Sequence, residues 1–96
     1  MLTEDIKMQA VISVTGKDNI GIIAKASNIC ADYNVNIVDV SQTILQNYFV
    51  MIMLVDIDNI KVPFNDFVDI MAEMGKNNNL EIHTMHEDIF NSMHRI

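Results

Sequence analysis

The chain has ninety-six residues, half of them hydrophobic and 20% charged, with six Lys and Arg against thirteen Asp and Glu for a formal net charge of −7. That size and apolar content fit one domain spanning 1–96 and exclude a disordered chain. The scattered cations and acidic balance exclude nucleic acid and anionic membrane as expected partners, and the acidic start precedes no long apolar run, so a cytoplasmic protein is expected.

Met8 to Thr15 is rich in Val and Ile and ends at Gly16, the pattern of a first strand. A polar turn, Lys17-Asp18-Asn19, leads into a helix from Ile20 to about Tyr33, with Asp18 or Asn19 available as its cap. Ile20, Ile23, Ala24, Ser27, Cys30 and Ala31 form one apolar face of that helix, and Ile22, Ala26, Ile29 and Tyr33 form a second stripe. Asn34 is a left-handed stop. Val35 to Leu45 and Tyr48 to Val55 then read as a hairpin closed by Gln46-Asn47.

A second helix spans Ile60 to Gly75, with Pro63 in its first turn, Phe64, Phe67, Val68, Met71 and Met74 as its stripe, and Gly75 as its stop. Leu80 to Met85 is a short fourth strand, and Glu87 to Ile96 a terminal helix. The order predicts an α+β fold of the ferredoxin-like βαββαβ type: a four-stranded antiparallel sheet with two helices on one face, a core over about 8–86 and a short C-terminal helix in the tail, 87–96. Two helices cover one face only. Yet the third strand is apolar at both parities, Val50, Ile52 and Leu54 alternating with Phe49, Met51, Met53 and Val55, so a second layer is expected. A second copy of the chain is the simplest cover, and the terminal helix is its rival.

The chemistry points to binding, not catalysis. No Ser-His-Asp or Cys-His set and no phosphate-cradling glycine loop occurs, so neither an enzyme nor a cofactor is expected. His83 and His86, three apart on a strand, fall on opposite faces and make a poor metal pair, while the eight Met residues lie mostly in apolar patterns as filler. Cys30 is the only cysteine, which rules out an internal disulfide, fits a reducing compartment and reads as a small buried hydrophobe. The helix start after Gly16 is different. There, bare N–H groups and the positive dipole end suit a small carboxylate.

Three segments together, Gly16 to Ile22, Val35 to Thr43 and Phe49 to Met53, resemble an ACT domain of the small stand-alone bacterial type, and the likeness runs along nearly the whole chain. The resemblance implies a non-catalytic regulatory module that binds a small amino-acid-like metabolite at a homodimer interface. It also implies the contacts: Asp18, Asn19, Ile20, Gly21 and Ile22 at the turn, with Asn36 and Ile37 opposite. Ile20 stands where the family usually carries proline. Backbone amides from Asn19 to Ile22 would take a carboxylate, and Asp18 with Asn36 an ammonium group. Each residue also has a plainer role: Asp18 or Asn19 as a helix cap, Gly21 as a point of close helix-to-sheet approach, Lys17 as a solvated turn residue. The alternative function is a ligand-free module that docks a separate enzyme or regulator.

Overall fold

The computed structural model of the protein describes residues 8–17 and 21–93. In chain order these form β1 (Gln9–Gly16), α1 (Ile22–Asp32), β2 (Asn36–Leu45), β3 (Tyr48–Asp56), α2 (Phe64–Asn77), β4 (Glu81–His86) and α3 (Glu87–Met93). The strands pair antiparallel in the order β2-β3-β1-β4, the ferredoxin-like arrangement expected from the sequence. Strands β2 and β4 are therefore the sheet's edges.

Alternation along the strands sorts the faces. Ala10, Ile12 and Val14 of β1 and Phe49, Met51, Met53 and Val55 of β3 are buried and pack with Ile22, Ala26 and Cys30 of α1 and Phe67 and Met71 of α2. The opposite parity of β3 is only partly covered: Val50 and Leu54 are half-buried, while Ile52 is exposed. The terminal helix α3 packs against β1 and β4, away from the β2 edge. It therefore leaves β2 open.

Helix α1 turns its second stripe inward. Ile22, Ala26 and Cys30 are buried, with Ile29 and Tyr33 packed alongside, whereas Ile23, Ala24 and Ala31 of the first expected face are exposed. Ile22, Ile29 and Tyr33 offer more side chain to bury than Ala24, Ser27 and Ala31, and of the first expected face Cys30 is buried as well. Cys30 faces the sheet, and burial pushes its thiol up to about 11, so it stays protonated and inert at neutral pH. Asn34 takes the expected left-handed conformation, at φ 61, and donates from Nδ2 to the Asn59 carbonyl at 2.9 Å.

Gly75 does not end α2, which runs on to Asn77 and gives way to a left-handed Asn79. The glycine is there for space. A Cβ at Gly75 would lie 2.9 Å from both Ile82 Cγ1 and the Leu80 carbonyl oxygen, so the bare backbone lets α2 lie directly against the entry to β4. Gly75→Ala is expected to lose about 1–3 kcal/mol by prising helix from strand, read as a lower urea midpoint at unchanged slope. A neutral result would mean that the Leu80 backbone yields freely.

Candidate functional site

The turn from Gly16 to the start of α1 is the expected ligand contact. Asp18, Asn19 and Ile20 lie outside the described residues. The cap position of α1 falls at Gly21 rather than at Asp18 or Asn19, with no side-chain capping hydrogen bond and no acidic residue in the first turn. Lys25 N–H donates to the Gly21 carbonyl at 3.0 Å, closing the first helical turn. Ahead of that bond, the amides of Ile22, Ile23 and Ala24 belong to the set a helix leaves without an internal partner.

Gly21 is glycine for its conformation, not for close packing. Its φ is 71, in the left-handed region, and an added Cβ would meet nothing within 4 Å among the described residues. Gly21 itself is exposed at the helix start. Ile22 points its side chain into the core at 3% exposure, so its backbone amide is the only part of it free to meet a ligand.

Beside this turn lies a cleft of about 430 Å³ formed by Lys17, Ile44, Gln46, Asn47, Tyr48 and Phe49, where the β2–β3 hairpin passes the end of β1. Lys17 Nζ sits 5.8 Å from the Tyr48 ring centroid, a cation–π arrangement. Lys17 is thus not simply solvated. Gln46 holds the tight turn with φ 56, and Ile44 and Tyr48 are well exposed.

Asn36 and Ile37 are elsewhere. Gly16 pairs with Phe49 at one end of β3, and Asn36 pairs with Asp56 at the other. Seven residues of strand separate those two positions, roughly 24 Å at the usual rise. Within one chain, therefore, the two expected halves of the site stand at opposite ends of the sheet. Asn36 is exposed at the start of the β2 edge, next to a bulge that shifts the register between Ile37 and Asp39. Past the bulge, β2 is exposed along its full length, with apolar Val38, Val40, Ile44 and Leu45 among its open side chains.

His83 and His86 separate as their spacing predicts. His83 is exposed beside Glu81 at 3.4 Å, while His86 stacks on Phe64 with ring centroids 4.2 Å apart. Among the described residues no group of three His, Cys, Asp or Glu side chains is placed to hold a metal ion, and no helix is long and apolar enough to cross a membrane.

Comparison with known proteins places this geometry in a family. The ACT domain model matches residues 8–82. The chain is a member of the ACT domain family. It is 52% identical over 89 residues to a UPF0237 protein from Clostridium perfringens, covering 93% of this chain and 100% of that one. A UPF0237 protein from the archaeon Methanocaldococcus jannaschii is 47% identical over 88 residues, covering 92% and 98% respectively. Small ACT proteins of this kind thus occur in bacteria and archaea. Among solved structures, an ACT domain protein from Streptococcus pneumoniae superposes with a TM-score of 0.77 at 36% identity, covering 88% of this chain and 96% of that one. A formyltetrahydrofolate deformylase from Pseudomonas syringae reaches a TM-score of 0.76 at 18% identity over 28% of its own length, a likeness of fold alone. ACT domains are small-molecule regulatory modules, and that is the class of this chain.

Proposed function

We propose that this ACT domain is a non-catalytic, cytoplasmic sensor that binds a small amino-acid-like metabolite between two copies of the chain and passes its state to another protein. The observation that carries the reading is the division of the expected contacts between the two ends of one sheet, with a free edge strand running between them. An edge strand with unpaired backbone groups and open apolar side chains is a template for pairing. If two β2 strands pair antiparallel about Val40, Asn36 of the second copy arrives near Ile44 and Leu45, beside the cleft and the turn. Each ligand would then touch both copies: amides at the start of α1 from one, and Asn36 with Ile37 from the other. Of the two edges, β4 is the less suited, being six residues long and carrying Glu81 and His83 on its open parity.

A metabolite held across two copies stabilises the assembly by mass action, and it shifts a regulatory equilibrium only to the extent that it favours one arrangement over another. The reading is tested by thermal-shift screening of amino acids against the wild type, Asp18→Ala and Asn36→Ala. A true ligand at a hundredfold excess over its Kd stabilises by about 2.7 kcal/mol, a melting shift on the order of 10 °C that both variants should lose. If no amino acid moves the transition while the chain still self-associates, the ligand-free docking module becomes the better account.

A further inference from the structure

Strand β4 bounds one side of the sheet, and among the described residues no strand pairs with its outer side. Along an antiparallel edge every second residue turns its N–H and C=O groups outward, so about three residues of β4 present them to a further strand. Helix α2 lies alongside, and the two elements line a groove of about 600 Å³. Strand residues of both parities line it, Glu81 and His83 as well as Ile82 and Thr84, so the groove follows the strand's edge rather than one face. On the α2 side, Val68 and Ala72 supply apolar surface between the exposed carboxylates of Asp69 and Glu73. With Glu81, three acidic groups stand along the groove against one ammonium group, that of Lys76.

We propose that this edge docks an extended basic segment of another protein, which joins the sheet as a fifth strand beside α2. The inference takes from the sensor reading only that a second protein receives the signal; the surface itself stands at the opposite side of the sheet from β2. Main-chain hydrogen bonds to β4 hold the segment, and its side chains divide by parity. One set lays aliphatic stems over Val68 and Ala72 and sets its cations at Asp69 and Glu73, while the other lies beside Glu81 and Met85. The six residues of β4 span roughly 20 Å, so the segment is about five to seven residues long. A second copy of this chain is the wrong occupant, because it brings an acidic rim of its own on a molecule of net charge −7. The charge that makes β4 a poor edge for self-pairing is what selects a basic partner.

The test titrates the protein with a capped synthetic peptide of about eight residues, alternating Lys and Val, and follows backbone amide resonances by NMR. Shifts are expected along residues 81–85 and at Val68, Ala72 and Lys76, and binding should weaken several-fold at high salt. The same peptide with Glu in place of Lys should bind about tenfold more weakly. Asp69→Lys combined with Glu73→Lys, two exposed changes to good helix formers, should keep the fold and reverse that preference. Two further peptides, each methylated on one alternate set of backbone amides, test strand addition: the set that faces β4 should abolish binding and the other should leave it intact. Equal binding by both methylated peptides overturns strand addition, and equal binding of the Lys and Glu peptides overturns the basic partner. Shifts confined to β2, or silence at millimolar peptide, overturn the β4 assignment. The metabolite screen has a separate readout, lost with Asp18 and Asn36, so the sensor reading and this docking surface fail independently.

Discussion

Truncating Phe67 to alanine is expected to cost about 3–5 kcal/mol, roughly a fifth or more of the stability of a domain this size. Phe67 is wholly buried, and its ring meets that of Tyr33 edge-on, with centroids 6.5 Å apart and planes at 68°. It thus ties α2 to the end of α1, and both to the sheet. Two terms add in the loss: the transfer of an aromatic side chain back to water, and the void left among neighbours that cannot wholly close. The core that Phe67 joins includes Met51, Met53 and Met71, all buried, whose unbranched chains can partly fill a hole. The effect therefore falls nearer the lower end of the range. Urea denaturation reads it as a lower midpoint at constant slope, and a loss under about 1 kcal/mol would mean the methionines refill the space.

What the sequence revealed and what it hid divide along a physical line. Strand β3 and its hairpin partner were legible because alternation and a two-residue turn are local signals, and Gln46-Asn47 carries the turn even without glycine. The inward side of α1 was not legible. With Ala and Ser spread around the helix, both stripes counted as apolar, and the choice depended on which one met the sheet. Gly75 misled for a similar reason: as a helix residue it resembles a stop, yet its role is set by Ile82 and the Leu80 carbonyl, which the fold brings to it from β4. The bulge at Val38 left no mark in the sequence. Asp39 offers a local cause afterwards, since its Oδ1 accepts from the Val40 N–H at 2.9 Å. At the candidate site, the glycine turn and Asn36 could each be named from the sequence, but their separation along the sheet follows only from register, as does the nearness of Lys17 to Tyr48.

On the proposed reading that separation makes the β2 edge decisive for function, and Val40 is the place to test it. Val40 is 37% exposed at the middle of an edge strand, so replacing it disturbs little of the core. In antiparallel self-pairing centred there, its side chain lies against that of its own copy, and Val40→Glu would set two carboxylates face to face. Loss of apolar contact on both sides, together with like-charge repulsion, is expected to raise the dimer dissociation constant by about a hundredfold or more. Sedimentation should then find a folded monomer with wild-type circular dichroism. Val40→Lys should behave alike, for the same reason with opposite sign. Mixing the two variants pairs Glu with Lys across the two-fold axis and should restore a dimer that neither forms alone, a result that general destabilisation or a distant effect cannot imitate. The monomeric variants should also lose the amino-acid thermal shift, because Asn36 of the second copy no longer reaches the turn, whereas the mixture regains it. His83→Glu on the β4 edge should leave both assembly and ligand response unchanged. If each Val40 variant alone still sediments as the wild type does, the copies meet elsewhere, and the turn and Asn36 are not parts of one site.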